Sequence, residues 1–150
     1  TLPPLAKNVL VIGGVAAAAY FLFISPDKSQ QQLVDAAGTG LNDLAQQGIT
    51  PTISNAVAES YASSLTAAFD GCGTDEDAIL NVFSQLRNDA DVYKLISVYG
   101  IRSYQGCFEG SIFTEDVTGN LSKALYSELS AGYIADINNI LSSNGISYQF

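Results

Sequence analysis

The chain has 150 residues, of which 15 are Asp or Glu and 6 are Lys or Arg, so its formal net charge is −9. A nucleic-acid partner is therefore excluded, because binding to nucleic acid needs a basic surface. The chain contains no His, which excludes Ser-His-Asp and Cys-His nucleophile systems and the common zinc sites.

The first predicted element is an apolar helix. Residues 9–24 form an uncharged run, and flanking residues extend it towards the roughly 20 residues that a bilayer span requires. We therefore predict that residues 1–26 are a single transmembrane anchor, with a cleaved signal peptide and a buried core helix as the alternatives. The residues assigned to the membrane are Val9, Gly13, Ala17, Tyr20 and Phe23. Small residues four apart, such as Gly13 and Ala17, also favour helix association in lipid.

The rest of the chain is predicted to be helical. Residues 27–52 form a juxtamembrane helix and linker, and residues 53–150 form an acidic domain. Apolar residues recur at helical spacing, most clearly in a four-residue stripe made of Ile53, Val57, Tyr61, Leu65 and Phe69. Helices are expected over 33–45, 53–69, 74–86, 91–99, 118–129 and 133–141, with 100–113 irregular and an apolar-alternating tail at 146–150. The predicted fold class is all-α: one transmembrane helix followed by a compact bundle of five or six short helices.

The stretch from Gly71 to Leu80 is the most specific motif. Thr74 is a good N-cap, and Asp77, three residues later, can reach back to the cap N–H as in a capping box. The acidic residues of this first turn also lie at the positive end of the helix dipole. A glycine loop that leads into a well-capped helix accounts for the whole pattern.

The same residues support a resemblance to a known family. Gly71-Cys72-Gly73-Thr74-Asp75-Glu76, followed by Ala-Ile-Leu, is similar to the start of an annexin repeat, and the segment from Asp116 to Leu125 resembles its later part. The resemblance implies a calcium site in which backbone carbonyls around Asp70, Gly71 and Gly73 act with the carboxylate of Asp116, or of Glu115 as second choice. Hard oxygen ligands of this kind suit Ca²⁺.

A second resemblance extends over more of the chain. Virion or lysis-associated proteins of Bacteroidetes phages are similar in several short motifs, which here are 73–79, 90–95, 99–102, 128–129, 139–141 and 145–150. The resemblance implies a membrane protein of a lipid-containing phage, located in the virion membrane or the host inner membrane. It also implies a multi-copy assembly, with the bilayer and a capsid or other shell protein as partners.

The chain has two cysteines, Cys72 and Cys107, and each follows a glycine in a predicted loop. A disulfide between them would close 34 intervening residues. The alternative is a pair of small, buried, apolar thiols. The sequence leaves this choice open.

The predicted function is structural: to tether a helical domain to a bilayer and dock it against a protein shell or partner. A calcium-dependent annexin-type binding module is the alternative, and a cell-wall-degrading enzyme comes third. Paired carboxylates can cleave glycosidic bonds without His. The candidates Glu59, Glu76, Glu109, Glu115 and Glu128 stand in no recognisable catalytic setting, so we expect no enzymatic activity and no cofactor other than Ca²⁺.

Overall fold

The computed structural model describes residues 28–107 and 114–150. Within these ranges the elements, in chain order, are α1 (Lys28–Gln46), α2 (Asn55–Phe69), α3 (Glu76–Ser84), α4 (Asp89–Tyr99), β1 (Arg102–Cys107), β2 (Thr114–Gly119), α5 (Leu121–Glu128) and α6 (Ala131–Ser143). The predicted anchor 1–26, with Val9, Gly13, Ala17, Tyr20 and Phe23, lies outside the described residues.

The all-α prediction is wrong because the domain contains a two-stranded antiparallel sheet. In β1 and β2, Arg102 pairs with Gly119 and Cys107 pairs with Thr114. The sheet lies where the sequence predicts irregular structure and the start of a helix. That helix, α5, begins only after Asn120, whose side chain accepts a hydrogen bond from the Lys123 amide at 3.0 Å. Asn120 is thus the N-cap, and the residues before it are free to extend the sheet.

The predicted transmembrane architecture and membrane-anchored localisation are also corrected. Across residues 28–107 and 114–150, no helix combines the length and the apolar character needed to cross a bilayer.

The helices enclose one apolar core against the inner face of the sheet. Its largest fully buried side chains come from α2 to α6 and the α3–α4 connection, and include Leu65, Phe69, Phe83, Leu86, Tyr99, Leu125 and Leu141. Helix α1 packs against α4 and contributes Ala37 to the same core. The side-chain oxygen of Gln30 in α1 also accepts the Asn120 amide at 2.9 Å. The helix within 27–52 therefore packs together with 53–150.

A buried carboxylate fixes the start of α4. Asp91 is fully buried and accepts four hydrogen bonds: from the Thr52 amide at 2.6 Å, the Thr52 hydroxyl at 2.7 Å, the Ile53 amide at 3.2 Å and the Arg87 amide at 2.8 Å. A buried charge is tolerated when its oxygens are satisfied in this way. Asp91 thereby ties the segment before α2 to the turn between α3 and α4.

Candidate functional site

The loop between α2 and α3 lies along the outer edge of β1. The Gly71 amide donates to the Gln105 carbonyl at 2.7 Å, and the Gln105 amide donates to Asp70 Oδ1 at 2.8 Å. Both backbone groups of Gln105 therefore point away from β2, which makes Gln105 and Asp116 a pair without backbone hydrogen bonds. Side chains come closest in pairs of this type. The loop thus occupies the edge of β1, while Asp116 lies across the strand.

A disulfide closes this end of the domain. Cys72 and Cys107 are bonded, with their Cα atoms 5.1 Å apart, so the pairing that the sequence left open is present. Gly71 and Gly73, on either side of Cys72, have φ values of 93° and 107°. Residues with a Cβ rarely adopt this conformation. The two glycines therefore let the chain turn sharply enough to bring Cys72 onto the end of β1.

The residues proposed as calcium ligands meet at Gln105. Asp70 accepts from the backbone amide of Gln105, and Asp116 accepts from its side-chain Nε2. The two carboxylates and the glycine loop consequently lie at one corner. Within the described part of the chain, no group of three or more His, Cys, Asp or Glu side chains is placed to hold a metal ion. Calcium binding, which would need backbone carbonyls as further ligands, stays a prediction.

The N-cap of α3 lies one residue later than predicted. Asp75, not Thr74, caps the helix: its Oδ1 accepts from the Ala78 amide at 3.0 Å. Thr74 instead donates its hydroxyl to Glu128 Oε2 at 3.2 Å, linking the loop to α5. Asp77 lies exposed in the first turn and not at the position that a capping box requires. The Asp75 amide donates to the Ala68 carbonyl at 3.0 Å, which ties this N-cap to the end of α2.

Five exposed carboxylates lie on the loop that carries Cys72, in the first turn of α3 and on β2, and we call this set the acidic corner: Asp70, Asp75, Asp77, Glu115 and Asp116. Three cationic side chains among the described residues have partners outside the acidic corner. Lys94 donates to the Ile53 carbonyl, Lys123 donates to the Thr118 carbonyl, and Arg102 pairs with Glu59 at 2.7 Å. Arg102 and Lys123 both lie towards the end of the hairpin remote from the disulfide. The corner therefore presents a concentrated negative charge.

The inner face of β1 carries a buried tyrosine that the sequence analysis missed. Tyr104 packs on Phe69, with ring centroids 5.5 Å apart, and its buried hydroxyl has no hydrogen-bond partner among the described residues. Burial, and next the charge of Glu128, raise the pKa of the Tyr104 hydroxyl well above its ordinary value. The sequence did not predict that Tyr104 is buried, because it is a single Tyr in a segment without clear hydrophobic periodicity.

The described carboxylates that were considered for catalysis lie on different elements, and those with a hydrogen-bond partner have different partners. Glu59 on α2 binds Arg102, and Glu128 on α5 accepts from Thr74. Glu76 lies in the first turn of α3 and Glu115 is exposed on β2. Glu109 lies outside the described residues. No pair among them is linked by a common hydrogen-bond partner in the described structure.

Comparisons with protein families, curated proteins and solved structures found no match to this chain. They lend no support to the virion, bacteriophage or annexin-like interpretations.

Proposed function

We propose that this protein is a structural docking domain whose acidic corner binds a basic surface on a protein partner. The observation that carries the proposal is that five exposed carboxylates lie on two segments distant in sequence, 70–77 and 115–116. The Cys72–Cys107 disulfide joins the first segment to β1, and Asp70 and Asp116 both contact Gln105 of that strand. Complementary charge steers association and selects partners.

The acidic corner is held in place before any partner binds. Its loop is fixed by the disulfide, by two hydrogen bonds to Gln105 and by the bond from Thr74 to Glu128. A preorganised surface loses less conformational entropy on binding than a mobile one. The rigid scaffold therefore supports a docking role.

Two charge-matched variants test the proposal. The corner variant combines Asp75→Asn, which keeps a good N-cap, with Asp77→Asn and Glu115→Gln. The control variant neutralises the same number of carboxylates on α1 and α6, at Asp35, Asp43 and Asp136.

Each full-length variant is immobilised and exposed to extracts from the source of the protein. We expect one protein to be retained by the wild type and the control, released by raised salt, and lost with the corner variant. Equal retention of the same proteins by all three forms would contradict the proposal.

A calcium-dependent binding module is the second candidate function. It is favoured by the meeting of Asp70 and Asp116 at Gln105, beside the glycine loop. Calcium binding would raise the melting temperature at millimolar Ca²⁺, and Asp116→Asn would abolish that rise while Asp136→Asn would not. A wild-type melting temperature unaffected by Ca²⁺ would eliminate this candidate.

A further inference from the structure

The disulfide between Cys72 and Cys107 lies at the surface of the domain. Cys72 is exposed and Cys107 is half-buried. Gly71 and Gly73 flank Cys72, and a Cβ built on either glycine would meet no heavy atom of the described chain within 4 Å, apart from its chain neighbours. The described residues therefore leave space on both sides of Cys72 for another molecule to approach.

The two sulfurs differ in their access to an incoming reagent. Thiol–disulfide exchange begins when a thiolate attacks one sulfur of the bond, and access helps to decide which sulfur is attacked. Cys72 is the more exposed of the two, so the thiolate bonds to Cys72 Sγ and Cys107 Sγ leaves. The hydrogen bonds of Gln105 to Gly71 and Asp70 hold the loop on β1 without the sulfurs. The S–S bond can therefore open while these hydrogen bonds keep the loop on the strand.

Three exposed carboxylates lie close to the sulfurs. Asp70 is two residues from Cys72 and Asp75 is three residues from it, so chain length alone keeps their Cα atoms within about 7 Å and 11 Å of the Cys72 Cα. Asp116 lies two positions along β2 from the partner of Cys107. Diagonal neighbours of this kind on one face of a sheet are about 7–8 Å apart. An approaching reagent therefore meets three negative charges within about one Debye length at moderate salt.

We propose that this disulfide is a site of thiol–disulfide exchange that selects dithiols whose reactive sulfur lies among positive charges. The attacking thiolate bonds to Cys72 Sγ, the S–S bond breaks, and Cys107 leaves as a thiolate that takes up a proton. The second thiol of the reagent then displaces Cys72 from the mixed disulfide. Two electrons and two protons thereby pass from the dithiol to the protein, and the dithiol becomes a disulfide.

The selectivity follows from the charge of the reagent. The nearby carboxylates repel a thiolate that carries further negative charge, and they attract positive groups that offset the charge of the thiolate. Three small thiols measure this effect: cysteamine, β-mercaptoethanol and mercaptopropionate. As thiolates, the first is neutral overall, the second carries one negative charge and the third carries two. For three carboxylates about 10 Å away at low ionic strength, Coulomb's law gives a rate per thiolate about tenfold higher for the first than for the third.

Two full-length variants separate the local charges from the total charge of the protein. The exchange variant carries Asp70→Asn, Asp75→Asn and Asp116→Asn, and each Asn keeps an oxygen that can accept the hydrogen bond that the Asp accepts. The matched control is the control variant of the docking experiment, which neutralises the same number of carboxylates on α1 and α6. The initial rate of reduction is measured by alkylating the freed thiols and counting them by mass spectrometry. Circular dichroism first establishes that each variant is folded.

The preference for cysteamine over mercaptopropionate is compared between the three forms. In the wild type and the control it should exceed that of the exchange variant by about tenfold at low salt, and this difference should vanish at about 1 M salt, where the Debye length is about 3 Å. Intrinsic differences between the thiols cancel, because every form meets the same reagents. If the exchange variant is not folded, Asp75→Asn is compared with Asp136→Asn, with an expected difference of about twofold.

Two results would overturn the exchange proposal. One is an equal preference in all forms at low salt. The other is a disulfide that none of the three thiols reduces until the protein is unfolded. The exchange proposal shares the acidic corner with the docking proposal but requires no bound protein partner. Failure of one in its own experiment therefore leaves the other standing.

Discussion

Replacing Asp91 with Asn probes the connection between the segment before α2 and the turn before α4. The substitution keeps the shape of the side chain but removes its charge and turns one acceptor oxygen into an NH₂ group. Oδ1 can still accept from the amides of Thr52 and Ile53. On the Oδ2 side, the Thr52 hydroxyl can rotate and accept, but the Arg87 amide faces another donor.

The expected loss of stability in Asp91→Asn follows from these contacts. An unsatisfied amide costs about 1–3 kcal/mol, and hydrogen bonds to a charged acceptor exceed neutral ones by about 1 kcal/mol each. With two bonds retained by Oδ1, the sum is about 3–5 kcal/mol. For a domain of this size that is a decrease in melting temperature of about 10–20 °C, which thermal unfolding followed by circular dichroism measures directly.

Asp136→Asn is the matched control, since Asp136 is exposed on α6. We expect it to change the melting temperature by less than about 2 °C, because exposed substitutions usually cost under about 0.5 kcal/mol. If Asp91→Asn also stays within that range, the buried carboxylate does not hold the two segments together and the reasoning is refuted.

Three further predictions concern the acidic corner and the sheet behind it. Replacing Cys72 and Cys107 with Ser should lower stability by about 4 kcal/mol on the chain-entropy estimate; an unchanged denaturant midpoint would show that the disulfide is dispensable. Asp75→Ala should cost about 1 kcal/mol through loss of the N-cap, while Asp75→Asn should cost much less, and equal losses in the two would argue against capping. Tyr104→Phe should leave stability unchanged or higher, because it removes a buried hydroxyl without a partner among the described residues. In the wild type, the unfolded Tyr104 ionises near pH 10 while the folded hydroxyl keeps its proton, so stability should fall more steeply above pH 10 than in Tyr104→Phe; parallel pH profiles would contradict this.

Helices with a clear apolar stripe could be predicted from the sequence. Most of the stripe that ends at Phe69 lies in α2, although Ile53 precedes the helix and Val57 is exposed. The predicted helices 91–99 and 133–141 lie within α4 and α6. Local periodicity suffices there because each helix forms its hydrogen bonds within itself. Helix boundaries were predicted less accurately: α3 is capped by Asp75, one residue after the predicted N-cap Thr74.

The sheet could not be predicted because its strands carry little local signal. Residues of β1 are mostly polar or small, and Gly106 faces Val117 so closely that a Cβ at that position would lie 2.7 Å from the Val117 side chain. The strand exists because of partners distant in sequence: β2, the Asp70–Gly71 loop and the disulfide. Strand preference of this kind depends on context.

The sequence also did not predict two sets of polar contacts, because they join residues that are distant in the chain. Asp91 in the first turn of a helix is explained by the helix dipole alone, so nothing in the sequence indicates its bonds to Thr52 and Ile53. Asp70 and Asp116 were individually noted in the sequence, but their meeting at Gln105 depends on the unpredicted sheet. Sequence reasoning thus found the loop but not the surface that it forms.

Zero-length cross-linking of carboxylates to lysines tests the docking proposal most directly. Carbodiimide is applied to the wild-type protein in its native assembly, and the cross-linked peptides are identified by mass spectrometry. The account predicts bonds from Asp75, Asp77, Glu115 or Asp116 to lysines of one partner protein, and their loss when the corner carboxylates are neutralised. Cross-links to a partner that arise only from Asp35, Asp43 or Asp136 would contradict it.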